Sequence, residues 1–191
     1  MSRLENKPVE IPDGVEVLFI NNILEVNGPM GTLRQLINNN VKLTIDSVKH
    51  IIIVKKDKNV CKQHKRNSGL QGLFRGLIIN MLKGVTIGFK KDLELKGLGY
   101  KVSLESNKII LFVGFSHPVT IVIPKELKVK ATIMQDKTTL ISILGIDKCE
   151  VGTFAATLRQ VKPPDPYKGF GIKYFDEQII RKAGKVATSS K

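Results

Sequence analysis

A helical stripe that occurs twice, each time behind a β-like run, most constrains what this chain can fold into. Leu70, Leu73, Phe74, Leu77, Ile78 and Met81 fall at helical spacings and put one apolar stripe on one face. The same phase returns in the second half at Val151, Phe154, Ala155 and Leu158. Asp147 and Glu150 form a capping-box start for that second helix. His50 to Val54 precedes the first helix and Thr139 to Leu144 the second, and both runs read as strands. Any α+β chain shows some strands before some helices. A phase that comes back argues for one unit used twice.

The expected fold class is therefore α+β, with two similar domains by duplication, each a mainly antiparallel sheet packed with one main helix. Strands are expected near Val15–Ile20, Ile23–Asn27, Thr32–Leu36, Val41–Ile45 and His50–Val54, then a helix over Asn67–Leu82. Asn21-Asn22 tolerates positive φ and suits a two-residue hairpin turn. The cluster Asn27-Gly28-Pro29-Met30-Gly31 marks another turn. The second half predicts strands near Leu93–Leu104, Ile109–Val113, Val119–Ile123, Leu127–Ile133 and Thr139–Leu144, and a helix over Lys148–Arg159. Domain limits follow at 1–83 and 84–161, with a basic C-terminal extension over 162–191.

Charge narrows the function. Lys and Arg number 31 against 17 acids, a net charge of +14. Such an excess repels itself in a compact chain and calls for a polyanionic partner, because neutralising phosphates releases condensed counterions. A membrane surface is the second candidate, but apolar runs such as Ile109 to Val113 are far too short to span a bilayer. The N-terminus, Met1-Ser-Arg-Leu-Glu-Asn-Lys, lacks the apolar centre of a signal peptide. With two cysteines, Cys61 and Cys149, a disulfide framework is not expected. Cys61-Lys-Gln-His64 resembles half a zinc site, yet no second ligand pair follows. His50 and His117 stand away from any activated-nucleophile pattern and the carboxylates are scattered. No catalytic residue, metal, cofactor or small-molecule substrate is expected.

Two segments concentrate cations. Lys55 to Asn67 carries Lys55, Lys56, Lys58, Lys62, Lys65 and Arg66 against the single acid Asp57. The other begins at Arg159 and takes in Lys162, Lys168, Lys173, Arg181, Lys182, Lys185 and Lys191. Within it, Pro163-Pro-Asp-Pro166 cannot be helical, since proline fixes φ and removes donors. Tyr167, Lys168, Phe170, Lys173 and Tyr174 then interleave rings and cations around Gly169 and Gly171, a composition suited to a phosphate-rich partner with accessible bases. Three look-alikes fail on context. Lys168 to Phe175 is similar to the aromatic strand of an RRM domain, but only sixteen residues follow where a helix and a strand are needed. Gly69-Leu-Gln-Gly72 lies in an amphipathic helix rather than a KH clamp loop. Gly97-Leu-Gly99 lacks the third glycine of a dinucleotide fingerprint, and reads as a strand bulge or close backbone approach.

Taken together, the motifs resemble those of the bacterial-type sixth large-subunit ribosomal protein family. They are Lys7-Pro8, Ile11-Pro12, Gly28-Pro-Met-Gly31, Gly88-Phe89, Leu95-Lys-Gly-Leu-Gly-Tyr100, Gly114-Phe-Ser-His-Pro-Val119, Gly145-Ile-Asp-Lys148 and, most specific, Pro164-Asp-Pro-Tyr-Lys-Gly169 with Gly171-Ile172. One departure is Phe170, where the family pattern has a lysine, so that a phosphate contact is absent or replaced by stacking. The resemblance implies two duplicated α+β domains and no enzymatic activity. It implies direct binding of 23S-type ribosomal RNA near the base of the factor-binding stalk, among neighbouring large-subunit proteins and close to where translation factors dock. It makes Pro164, Tyr167, Lys168, Gly169 and Gly171 the foremost RNA contacts. Gly69-Leu-Gln-Gly-Leu73 and Ala183-Gly-Lys185 lean towards cyanobacterial and plastid members, leaving bacterial cytoplasm and plastid stroma both open. A free-standing RNA chaperone or nucleic-acid binder outside the ribosome is the competing reading.

Overall fold

The computed structural model of the chain describes residues 7–46, 49–56, 69–134 and 138–184. They divide into two compact units, one within residues 1–89 and 146–148, the other within residues 90–145 and 149–191.

In the first unit, β1 (Val9–Glu10), β2 (Glu16–Ile20), β3 (Ile23–Gly28), β4 (Gly31–Leu36), β5 (Val41–Asp46) and β6 (Ile51–Lys56) precede α1 (Leu70–Thr86). They make two antiparallel three-stranded sheets, ordered β1-β6-β5 and β2-β3-β4. Asn21 and Asn22 stand at φ 51° and 64° between the register partners Ile20 and Ile23. Both tip residues are thus left-handed, the twist that suits a two-residue hairpin. Pro29-Met30 closes the next hairpin between Gly28 and Gly31. Leu24, Val26, Ile52 and Val54 turn inward to meet Phe74, Ile78, Met81, Leu82 and Val85 of α1.

The second unit repeats that plan. It contains β7 (Phe89–Lys96), β8 (Lys101–Glu105), β9 (Lys108–Phe112), β10 (Val119–Val122), β11 (Leu127–Ile133), β12 (Thr139–Gly145), α2 (Lys148–Val161) and β13 (Gly171–Tyr174). One sheet runs β10-β9-β8, the other β11-β12-β7-β13. Put β7 for β1, β12 for β6 and β11 for β5, and the first unit's order reappears. Here β13 is the added strand, laid on the edge of β7. Val151, Phe154, Ala155 and Leu158 of α2 are buried, as their spacing predicts, with Leu95, Ile109, Leu111, Ile141, Ile143 and Ile172 in the same unit's core.

The α+β class and the duplication are as expected, and nine expected strands lie within two residues of observed ones. Four details differ. The continuous strand expected over Leu93–Leu104 is two strands, β7 and β8, which belong to different sheets. Gly99, at φ +73°, breaks it, and the Tyr100 ring packs where Gly97 would carry a side chain. This turn takes the place of the expected bulge. Helix α1 continues beyond Leu82 to Thr86 because Val85 extends its buried stripe, and Gly88 (φ +79°) ends it by donating to the Lys83 carbonyl. Leu73, placed on that stripe by spacing, is exposed. Finally, β1 and β13 have no counterpart among the expected strands. No helix among the described residues is long and apolar enough to cross a membrane.

Candidate nucleic-acid interface

The C-terminal segment is a braced loop rather than a free ribbon. Where α2 ends, Lys162 accepts a hydrogen bond from the Ile172 N–H through its carbonyl at 2.8 Å. Three further bonds close the loop between: Asp165 N–H to Phe170 O at 2.9 Å, Gly169 N–H to Asp165 O at 2.8 Å, and Lys168 N–H to Asp165 Oδ2 at 2.8 Å. Asp165 therefore orders the turn with its main chain and its side chain together. Pro166, Tyr167 and Lys168 form the exposed tip, and Tyr167 is 57% exposed.

Both signature glycines hold positive φ, and Gly171 is also required sterically. Gly169 holds φ +71° against the Arg181 guanidinium, and Gly171 holds φ +144° against the backbone of Pro163 and Pro164. From Gly171 the chain enters β13, which pairs antiparallel with Leu93 to Lys96 of β7. Beyond it, Glu177 N–H returns to Tyr174 O at 3.0 Å. The tail then comes back to the loop, with Lys182 N–H bonded to Pro166 O at 3.0 Å. That bond sets exposed Arg181 and Lys182 beside the Tyr167-Lys168 tip.

The candidate cations divide into two kinds. Arg159 donates to both Glu177 oxygens, Nη2 to Oε1 at 2.6 Å and Nε to Oε2 at 3.2 Å, and Glu177 also accepts the Tyr174 N–H at 3.1 Å. The Arg159 bonds hold the Glu177 carboxyl below its usual range, against the opposing effect of burial, and raise the guanidinium's own pKa in return. Lys173 pairs with Glu94, its cross-strand partner, at 2.8 Å. Tyr174 is half-buried, with Lys91 and Arg159 at 5.5 and 5.6 Å from its ring centre. Lys162 lies 4.8 Å from the Phe115 ring, and Phe170 is half-buried. Pro164 is half-buried at the loop's entry. By contrast, no ion pair engages Lys168, Arg181 or Lys182 among the described residues. Lys96, Lys173, Glu177 and Arg181 share the walls of a cleft of about 360 Å³.

Of the other cationic segment, Lys55 stands exposed on β6, and Lys56 ends that strand. Lys58, Lys62, Lys65, Arg66 and Lys185 lie outside the described residues. Sequence reasoning missed Lys42, which faces Lys55 directly across β5 and β6, both exposed. Like charges so placed repel and invite an anion between them. Only the strand register shows the pair. Lys96 was missed for the same reason.

Two copies of one α+β design, one of them carrying a basic, proline-led loop, define a duplicated α+β protein. A family model described as Ribosomal protein L6 matches twice, over residues 11–88 and 96–175. Large ribosomal subunit protein uL6 of Desulforapulum autotrophicum is 42% identical over 187 residues, covering 98% of this chain and 99% of its own. Its namesake in Mycoplasmoides gallisepticum is 41% identical with both chains fully covered, and that of Natranaerobius thermophilus is 43% identical, covering 97% of this chain and 98% of its own. The chain belongs to the ribosomal protein L6 family, in its bacterial form. It is a structural protein of the large ribosomal subunit, not an enzyme, and its surroundings there are ribosomal RNA and other ribosomal proteins.

Proposed function

We propose that this chain binds 23S-type ribosomal RNA directly through the braced C-terminal loop and stabilises its folded structure. Lys168, Arg181 and Lys182 contact phosphates, and Tyr167 stacks on an exposed base or sugar face. Arg159, Lys173 and Tyr174 hold that surface in position from behind. One observation supports the reading: the tail returns to the loop through Lys182 N–H and Pro166 O, so that separate cations converge on one exposed, braced face without ion-pair partners among the described residues. Phe170, half-buried below the tip, packs rather than replaces a phosphate contact. The facing Lys42 and Lys55, with Lys56, Lys58, Lys62, Lys65 and Arg66 next in sequence, supply a second phosphate contact in the first unit.

The RNA region is the base of the factor-binding stalk, at the side where translation factors dock. The family resemblance of the Pro164 to Ile172 motif supports that placement. Binding to the corresponding RNA fragment, measured across a salt series, tests the contacts. Each cation lost should flatten the log–log slope by roughly 0.7–0.9, so the triple variant K168A/R181A/K182A flattens it by roughly 2–3. An unchanged slope overturns the assignment. Hydroxyl-radical cleavage from a probe at the loop tip then places the RNA, and cuts confined to another region would overturn the location. A free-standing RNA chaperone would leave the chain outside large particles in a sucrose gradient at moderate salt.

A further inference from the structure

The outer face of the β2-β3-β4 sheet carries side chains that folding does not require. Leu18, Ile20, Ile23 and Leu36 point away from the core and are 55%, 64%, 42% and 68% exposed. Register makes them one patch: Ile20 faces Ile23, Ile23 faces Leu36, and Leu18 sits on the same face of β2 as Ile20. A depression of about 310 Å³ lies among Leu18, Ile20, Asn21, Ile23, Glu25 and Arg34. The Glu25–Arg34 pair at 3.1 Å borders it, and exposed Glu16 lies further along β2.

The second unit is an internal control. Its β8–β9 hairpin holds the same place in the fold, with a two-residue tip at Ser106-Asn107. There the residues flanking the tip are Glu105 and Lys108 where the first unit has Ile20 and Ile23, and Ser103 stands where Leu18 does, while Val122, 59% exposed, keeps an aliphatic group in the place of Leu36. The scaffold thus folds with polar groups at the three hairpin positions, those of Leu18, Ile20 and Ile23. Aliphatic groups kept exposed together point to a partner that covers them.

Charge chooses between partners. Residues 7–46 hold three cations (Lys7, Arg34, Lys42) and five acids (Glu10, Asp13, Glu16, Glu25, Asp46), a net −2 in a chain of +14, and on the face itself the Glu25–Arg34 pair is neutral and Glu16 adds a negative charge. A phosphate backbone gains nothing at such a surface. A segment rich in lysine or arginine does, provided it also offers side chains to fill the patch.

We infer that the Leu18, Ile20, Ile23, Leu36 face is a protein-docking surface, and that its occupant is a basic segment of another large-subunit protein that places aliphatic or aromatic side chains on the patch. This goes beyond the RNA contacts proposed above and does not depend on them.

The test uses assembled large subunits carrying a photoreactive benzophenone side chain at Leu18. Irradiation should give an RNase-resistant product whose second peptide is a large-subunit protein segment with apolar and basic residues. A product that RNase digests, a product with a second copy of this chain, or no product overturns the inference. Ile20→Glu with Ile23→Lys transplants the pair that the second unit already carries. That variant should keep the parent's circular dichroism and affinity for the RNA fragment, yet incorporate about tenfold less well against wild-type chain in competitive reconstitution. Equal incorporation would count against a partner here. If the double variant does not fold, Leu18→Ser, the residue that the second unit carries there, provides the same comparison with a smaller deficit expected.

Discussion

Replacing Gly171 with alanine puts the braced loop under the most direct strain available. Its φ of +144° lies where L-residues rarely go. A Cβ there would stand 2.6 Å from the Pro163 oxygen, 2.7 Å from Pro164 Cα and 2.8 Å from the Pro163 carbonyl carbon. All three are backbone atoms, so no side chain can swing aside. Nor can the strand retreat easily, because Gly171 is paired with Lys96 and Ile172 N–H is bonded to Lys162 O. Backbone strain of about 1–3 kcal/mol adds to overpacking of about 1–3 kcal/mol, a loss of about 2–6 kcal/mol. That is a large share of the roughly 5–15 kcal/mol that holds a domain folded. The chain has no tryptophan, and its three tyrosines, Tyr100, Tyr167 and Tyr174, all belong to the second unit. Tyrosine fluorescence during urea unfolding therefore reports that unit alone. Its midpoint should fall by about 1 M or more. Gly184→Ala, where a Cβ meets nothing within 4 Å, is the control that should not move it. A Gly171→Ala protein within about 0.5 kcal/mol of the parent would refute the steric reasoning.

Gly152 lies inside α2 with open space around a would-be Cβ, so Gly152→Ala should stabilise the second unit by up to about 1 kcal/mol, read from the same fluorescence transition. Arg159 keeps the Glu177 carboxyl depressed in the folded state, so its contribution is present above the unfolded value of 4.5 and is lost as pH falls through the lower folded one. Glu177→Gln should accordingly be less stable than the parent near neutrality and lose less on acidification below about pH 4.5. Parallel losses in urea midpoints between pH 7 and pH 3 would exclude Glu177 as the source. Some acid sensitivity should persist in the variant from Asp92: burial pushes it up, but the hydrogen bonds from Lys90 and Ser142 outweigh that and leave it lowered. At the other hairpin, Asn21→Ala with Asn22→Ala places two alanines at positive φ and should cost the first unit about 2–4 kcal/mol, visible in thermal unfolding by circular dichroism.

What could be read from sequence was what local chemistry decides. The Asn21-Asn22 tip declared itself because few other residues accept two left-handed positions in succession. The α2 stripe did so because Val151, Phe154, Ala155 and Leu158 keep helical phase without interruption. The β13 strand stayed hidden because Gly171 to Tyr174 contains a glycine and a lysine and lies behind prolines. Its extended form is secured by β7, 75 residues earlier at the Gly171–Lys96 pair. The same distance hid the site's electrostatics. Composition displayed the cations, but nothing local says that Lys173 is matched by Glu94 or that Arg159 is matched by Glu177. Leu93 to Leu104 reads as one strand in sequence because Leu98 bridges the two glycines with an apolar residue, whereas that leucine is 93% exposed in a turn.

The division of labour among the basic residues follows from the cost of ordering. A flexible loop with several lysines gives up rotamer and backbone freedom as it binds, and that loss offsets much of the phosphate attraction. Here Arg159 and Lys173 are committed to carboxylates within the unit, which lowers their value as phosphate contacts. In exchange they fix Tyr174, β13 and the returning tail, so that, on the RNA-binding role proposed above, Lys168, Arg181 and Lys182 are already grouped in the free chain. The hydrophobic patch of the first unit follows the opposite rule, because it lies in a net acidic segment and its duplicate is polar at the places of Leu18, Ile20 and Ile23. Since both units satisfy one folding pattern, positions at which they differ in exposed chemistry are free of that pattern. Those positions are where a proposed partner can be sought without disturbing the fold.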